Sequence, residues 1–441
     1  MSTSIRGSLG AVSGTVMWTL VAWSGMHGNA RAQAPVPARL SLVEAVTLAV
    51  ERNPAMVAAR AGAEAADADA VSAALRPNPV VTVDSGGYPI FEPARPGYWG
   101  NSEFVVRVDQ DWETASRRRL RTDVANAGRT VAQLTVQDRA RQLALDVKRA
   151  YLGAVLAQAD RGVAQTSLDE IDRVIALNRA RLQQGDISGA ELRRLQVERL
   201  RFVEDVFGAE LALKNARGAL LALLNASQLD QPLELADGLK APPSGTGPMI
   251  AAAIAATRAQ GLVGQALEAR PDALAAREDL RRAETSTRLQ QALRRPNVTV
   301  GGGYFNNFGS DGVVFGVTVP LPLFNRNQGG VARADAERRA ADARSAATTM
   351  SVRLDVQRAL NAVDTNRARV EYIEREYLTN AQESRDIVLA SYRLGVADLI
   401  DFLDAQRAYR DTQRTYNRAL FDQRVSLFDL AAAVGLPDVQ P

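Results

Sequence analysis

Cysteine is absent from the 441-residue chain, which excludes disulfides and thiolate metal sites. Histidine occurs once, as His27, in a segment expected to be removed during processing. Without these two residue types, most zinc, copper and nucleophile constellations are unavailable. Neither sign of charge dominates: 53 Lys+Arg against 50 Asp+Glu leave a formal charge of +3. Nucleic-acid binding, which needs a concentrated basic face, is not expected. Beyond residue 34 no stretch approaches the ~18 consecutive apolar residues of a spanning helix. Aromatic residues are only 5% of the chain, and they gather in a few places.

Residues 1–34 read as a secretory signal. Arg6 precedes an apolar region running roughly from Leu9 to Trp23, and Ala32-Gln33-Ala34 has the small-x-small cleavage pattern. Cleavage is expected near Ala34. A lipid-attachment cysteine is missing there, so lipidation is not expected. The alternative is an uncleaved membrane anchor.

What the chain does have is an internal repeat. Tyr392–Ala408 reads as a tight reversal between two long helices, with Gly395 as the left-handed residue. Asp398 sits at an N-cap position with Asp401 three residues on, the spacing of a capping box. Leu182–Arg199 is a second copy, in which Gly185 matches Gly395 and Glu191 matches Asp401. Ser41 with Glu44 starts an early helix, and Asn53-Pro54 breaks it. In the second half Arg270-Pro271 breaks the helix Leu262–Ala269. From about Arg117 to Leu182 there is no proline, and a continuous helix of that length spans roughly 100 Å. After Gly185, positions 192, 195, 202, 206, 209, 213, 216, 220 and 223 form an apolar heptad seam broken only by Arg199. Leu399, Phe402, Tyr409, Tyr416, Leu420, Leu427, Leu430 and Val434 form its counterpart.

Between the helices lie short period-2 stretches. Val81 and Val83 alternate with Thr82 and Asp84, and Phe104, Val106 and Val108 with Val105, Arg107 and Asp109. Strands are expected at about 79–87, 103–112, 297–305 and 313–320. The tip turns are expected at 183–190 and 393–398. The parts are then a first repeat over 35–225, an inter-repeat linker or equatorial segment over 226–250, and a second repeat over 251–441.

The fold class that follows is mainly α with a small β part. Each half is helix, two strands, very long helix, turn, long helix. One strand face is apolar and aromatics flank it, which suits an outer-membrane β-barrel. Four strands cannot close a barrel, and an open edge cannot sit in lipid. Three chains giving four strands each would make one closed twelve-stranded barrel, continued by the long helices as a tube across the periplasm. A soluble coiled-coil scaffold with two stray hairpins is the alternative. It would leave the signal, the aromatic clusters and the duplicated order unexplained. No arrangement suggests an enzyme or a cofactor. Gly301-Gly302-Gly303 lacks the Lys-Ser/Thr of a phosphate loop and reads as small residues packing in a barrel strand.

Particular motifs then carry a resemblance. They are Ser41-Leu42-x-Glu44-Ala45 with Asn53-Pro54, Arg76-Pro77-Asn78-Pro79, Pro320-Leu321-Pro322-Leu323-Phe324-Asn325, and the two tip turns. From Ser41 to Gly435 the chain resembles the outer membrane efflux protein family, the TolC-like trimeric channels. It looks most like the cobalt-zinc-cadmium resistance outer membrane subfamily. The resemblance implies a homotrimeric exit duct in outer-membrane lipid. The duct would dock to a periplasmic adaptor (membrane fusion protein) and an inner-membrane RND-type pump. It implies passive conduction of heavy-metal cations, with multidrug efflux or type I protein secretion as the alternative cargo.

Site residues follow from the same resemblance. Asp401 and Asp404 lie one helical turn apart and map onto an acidic ring at the periplasmic constriction. Such rings favour cations. Helix capping alone is the structural alternative for this pair. Tyr392 and Glu191 map onto partners in the links that hold the constriction shut. One departure is Ala397, where well-known members carry an arginine. Gly185 and Gly395 would present the tip turns to the adaptor. Tyr88, Trp99 and Trp112 are expected in an aromatic girdle or external loops, with ordinary packing at the strand–helix junction as the alternative for Trp112.

Overall fold

The computed structural model describes residues 36–87, 102–240 and 259–436. The expected signal over 1–34 and the aromatic positions Tyr88 and Trp99 lie outside the described residues, as do 241–250 of the inter-repeat segment and 251–258 of the second repeat. Among the described residues no helix is long and apolar enough to cross a membrane.

The first repeat begins with a two-residue strand, β1 (Arg39–Leu40), then α1 (Leu42–Arg52) and α2 (Pro54–Ala74). Ser41 and Glu44 form the expected capping box. Asn53 ends α1 and caps α2, its side chain accepting from the Ala55 N–H at 2.9 Å. The amide of the same residue donates to Leu223 O at 2.9 Å. Strands β2 (Val80–Gly86) and β3 (Glu103–Trp112) follow, then α3 (Arg117–Gln184) and α4 (Gly189–Leu223). At 68 residues α3 is the uninterrupted helix that the absence of proline predicts.

Strand β4 (Glu234–Leu235) pairs in parallel with β1. The second repeat runs α5 (Ala259–Ala269), α6 (Pro271–Ala292), β5 (Val298–Asn307), β6 (Ser310–Thr318) and α7 (Gln328–Tyr372). A six-residue π turn over Ile373–Leu378 precedes α8 (Thr379–Arg393) and α9 (Leu399–Val434). At the break between α5 and α6, Arg270 ties the short helices to the last helix of its repeat, as Asn53 does in the first half. It is held by Asp272 at 2.7 Å and Asp355 at 3.1 Å, and it donates to Ala433 O at 3.3 Å near the end of the last helix. Burial alone would lower its pKa, but the two carboxylates outweigh it and hold the pKa above the ordinary value.

Two readings from sequence need correction. The long helix of the second half is not uniformly α: the π turn brings Tyr372 and Tyr377, five residues apart, into edge contact at 5.4 Å. The last hairpin is shifted, since β5 continues to Asn307 and β6 occupies Ser310–Thr318 rather than starting near 313. Its polar Asn306–Asp311 stretch looks like a loop by composition, yet it pairs Asn306 with Asp311 and Asn307 with Ser310. Within the inter-repeat stretch β4 docks onto β1. Buried Tyr151 ties the two together: its hydroxyl lies 3.0 Å from Leu40 O and 2.8 Å from an Asp237 carboxylate oxygen. Burial raises the pKa of this phenol, so it stays protonated.

Apolar packing follows the heptad seams. A large cluster surrounds the β1–β4 pair and includes Leu40, Met56, Leu143, Tyr151, Leu220 and Leu224. A second, with Leu262, Val352, Val356, Leu430 and Val434, is its counterpart in the other repeat. Arg199, the break in the α4 seam, pairs with Asp172 of α3 at 2.6 Å.

The main sheet has the order β2-β3-β5-β6, antiparallel throughout, with β2 and β6 as edges. Register decides its two faces, because paired residues in an antiparallel ladder project to the same side. Val81 faces Val108, Val83 faces Val106, Val106 faces Tyr304, Tyr304 faces Val313 and Val300 faces Val317. That face is apolar. The other carries Thr82, Asp84, Arg107, Asp109, Asp111 and Thr299 with glycines at 301 and 303. A Cβ on Gly303 would lie 2.1 Å from Val106 O and 2.7 Å from the Arg107 Cα.

Replacing Gly303 by Ala is therefore expected to break the β3–β5 pairing, because the obstruction is backbone and cannot rotate away. The cost should exceed the ~1–3 kcal/mol of ordinary overpacking. Gly316→Ala, whose new methyl meets nothing within 4 Å, should be tolerated. Thermal unfolding of the two purified variants checks this, and equal stability would contradict the packing account.

Candidate functional site

The two turns at the far end of the long helices are built alike. Gly185 has φ 86° and Gly395 φ 76°, values that side-chain-bearing residues reach only with strain. In the first turn Gly185 N donates to Leu182 O at 3.1 Å and Asp186 N to Arg181 O at 2.9 Å. In the second, Gly395 N donates to Tyr392 O at 3.0 Å and Val396 N to Ser391 O at 2.9 Å. These paired bonds satisfy the last carbonyls of each helix. The next helices start alike too. Ser188 accepts from the Glu191 N–H at 3.2 Å, while Asp398 and Asp401 form a capping box with Asp398 N 3.4 Å from the Asp401 carboxylate.

The turns are joined by one buried ring. Tyr392 is 2% exposed and stacks on Phe402 of α9 with centroids 5.5 Å apart. Asn178 of α3, itself 1% exposed, donates to the Tyr392 hydroxyl at 2.7 Å. Arg181 lies over the same ring and donates to Tyr392 O at 3.2 Å and Arg393 O at 2.8 Å. A guanidinium is well placed there, because the C-terminal carbonyls of α8 carry partial negative charge. Burial is the main cause of an upward shift in the Tyr392 pKa, with the Glu191 charge adding to it. The phenol is thus neutral at physiological pH. Ile171, Ile175, Leu195, Leu399 and Leu403 complete the apolar packing around it.

Asp401 and Asp404 are both exposed, whereas Phe402 and Leu403 between them are buried. The pair therefore shares the face of α9 turned from the core, one helical turn apart. Asp401 also serves as the capping acceptor. Asp404 meets Arg407 at 3.2 Å, and Arg407 reaches Glu198 of α4 at 2.6 Å. A little further along, Arg410 pairs with Asp205 of α4. Ionic links thus run between α9 and α4 just above the turns.

Ala397 packs beside the tip cluster. The arginine that ties the turns together is Arg181, from the other repeat. Sequence reasoning missed it because a basic residue in the last turn of a helix is ordinary. Its partners lie 211 and 212 residues away. Glu191 and Tyr392 share this site, but the phenol bonds to Asn178. At the other end of the molecule Trp112 closes β3, 66% exposed and on the apolar face opposite Val298. Among the described residues no group of three or more His, Cys, Asp or Glu could hold a metal ion.

Comparison with known proteins adds an independent line. The chain is 26% identical over 298 residues to the cobalt-zinc-cadmium resistance protein CzcC of Cupriavidus metallidurans, covering 67% of this chain and 68% of that protein. Its fold matches a membrane protein from Pseudomonas aeruginosa with a TM-score of 0.73 at 21% identity, over 89% of this chain and 92% of the other. It also matches CusC, a structure described in terms of folding and transmembrane channel formation, with a TM-score of 0.72 at 18% identity, over 89% and 92%. The model of the outer membrane efflux protein family matches residues 45–226 and 262–436, which is each of the two repeats in turn. This chain belongs to the outer membrane efflux protein family.

Proposed function

We propose that this outer-membrane efflux channel works as a homotrimer whose acidic tip admits cations delivered by a periplasmic adaptor and an inner-membrane RND-type pump. Family membership makes it a channel and not an enzyme. The observation that carries the reading is the four-stranded sheet, apolar on one face and polar on the other, with both edges open among the described residues. Three such sheets edge to edge would close a barrel with the polar face inward. A second feature supports assembly. Outside its buried seam, α4 exposes Val197, Leu200, Phe207 and Leu211 at the 3-4 spacing of a coiled-coil seam. A neighbouring subunit would cover them.

Around the threefold axis, Asp401 and Asp404 would supply six carboxylates to one constriction, with Arg407 of each chain partly compensating. The turns at Gly185 and Gly395 would meet the adaptor. Arg181, Asn178 and Tyr392 would hold them together within each chain, in the place of the arginine that Ala397 lacks. Trp112 would lie in the girdle at the helix side of the bilayer, and Tyr88 and Trp99 in the girdle or external loops. Divalent metal cations are the favoured cargo, because the relative named above is a cobalt-zinc-cadmium resistance protein. Weak contacts suit a conduit, which must release what it admits.

Loss of the chain should lower tolerance to zinc, cobalt or cadmium, measured as growth inhibition of a deletion strain with and without complementation. Sensitivity to organic drugs alone would move the cargo to the drug-efflux alternative. A secretion defect would move it to protein export.

Replacing Asp401 and Asp404 together by Asn should reduce cation preference in planar bilayers. The difference from wild type should grow as salt falls, since the Debye length rises from ~8 Å at 0.15 M to ~30 Å at 0.01 M. The readout is reversal potential across a salt gradient. Unchanged selectivity would leave the pair with capping alone.

For the tip lock, Arg181→Ala should raise open probability by roughly tenfold, the effect of about 1.4 kcal/mol. Tyr392→Phe, which keeps the stacked ring, should do less. Single-channel recording compares them, and an Arg181→Ala channel that gates like wild type would remove this residue from the closing mechanism.

A further inference from the structure

The four segments that join strands to helices, 75–79, 113–118, 293–297 and 319–327, carry six arginines and a single acid, Glu113. Elsewhere the two signs nearly balance. All four segments lie at the same end of the sheet, because antiparallel register sets the start of β2 and β5 beside the ends of β3 and β6. Hydrogen bonds gather them further: Thr114 donates to Pro296 O at 2.6 Å, Gln110 to Pro77 O at 3.0 Å and Arg117 to Leu293 O at 3.3 Å. Glu113 is taken up by Arg121 of α3 at 2.5 Å. Five of the arginines, Arg76, Arg118, Arg294, Arg295 and Arg326, are exposed. Among the described residues none of the five has a carboxylate partner. The guanidiniums of Arg118 and Arg326 donate to main-chain carbonyls, Ala74 O at 2.8 Å and Pro322 O at 3.3 Å.

Apolar side chains are exposed at the same level. Leu321, Leu323 and Phe324 follow the end of β6 and are exposed, as Val313, Phe315 and Val317 are on its apolar face. Phe324 is 91% exposed. Trp112 stands at the same end of β3. An apolar band bordered by guanidiniums without counter-ions matches the boundary of a bilayer, where acyl chains give way to phosphates. Guanidinium also recognises phosphate through paired N–H donors.

We propose that this junction is a docking belt for anionic phospholipid headgroups in the membrane leaflet on the helix side. Leu321, Leu323 and Phe324 would enter the acyl region, and Arg76, Arg294, Arg295 and Arg326 would hold the phosphates above them. The inference rests on the membrane placement of the sheet proposed above, and it goes further by naming the lipid class and the residues that select it. In a trimer the belt would be repeated three times around the barrel, locking its depth in the bilayer.

The test uses the full chain purified in a neutral detergent. Dioleoyl phosphatidylglycerol or dioleoyl phosphatidylcholine is added, and retained lipid and thermal stability are measured after gel filtration. Wild type should retain several-fold more phosphatidylglycerol and be stabilised by it selectively. The variant R76Q/R294Q/R295Q/R326Q should lose the preference. The variant R193Q/R194Q/R353Q/R358Q, with as many charges removed from the helices, should keep it. The variant L321S/L323S/F324S should retain less of both lipids while still favouring the anionic one. A wild type without preference overturns the belt, whatever the folding of the variants. So does equal stabilisation by inorganic phosphate, which would mark a general anion patch facing water. Wild-type fractionation and bilayer conductance are measured alongside. Conduction without lipid preference refutes the belt alone, whereas a wild type found outside membranes refutes the membrane placement itself.

Discussion

Everything in this structure answers to the two unpaired edges of a four-stranded sheet. Each edge strand presents backbone N–H and C=O groups that hydrocarbon cannot satisfy, at several kcal/mol for each group left bare. Antiparallel order and strict alternation give β2-β3-β5-β6 one face fit for lipid and one fit for water. The edges are compatible with lipid only if β6 of one chain meets β2 of another. Closure by several copies is then a requirement of the backbone, and side chains add to it. Gly301, opposite Asp109, adds to the polar wall, because the Asp109 carboxylate lies where a Cβ would stand.

Duplication carries that constraint from the barrel to the tip. Each repeat supplies two strands, a helix of great length and a reversal closed by the same hydrogen bonds. Each also fixes its broken short helices to the last helix, through Asn53 in one half and Arg270 in the other. The halves then diverge. One long helix is uninterrupted α, while the other contains the π turn over Ile373–Leu378. At the tip the two halves meet around Tyr392, where Arg181 and Asn178 of the first repeat hold the turn of the second.

Much of this was legible in the residues. Period-2 alternation located the four strands of the main sheet, heptads located the seams, and glycine with a following cap located both reversals. Those signals are local, lying within one turn or one strand. What stayed hidden depends on pairing across the chain. Tyr151 meets Asp237 and Arg181 meets Tyr392, at separations of 86 and 211 residues, and neither residue is unusual in its own neighbourhood. The π turn was hidden for another reason, since its sequence IEREYL is as good an α-helix former as its flanks. Spacing alone put the acidic pair Asp401 and Asp404 on one face of the helix. Its exposure and the link through Arg407 to Glu198 needed the fold. The arginines at the barrel junction went unnoticed because they come in ones and twos, and only register brings them to one level.

The central requirement is that the conducting unit be a closed assembly of three chains. Cross-linking of the detergent-solubilised protein, followed by bilayer recording of the same sample, tests it most directly. A trimer as the largest closed species, with conductance confined to that fraction, is the predicted result. A stable monomer that conducts ions would contradict it, because four strands with open edges would then have been sufficient.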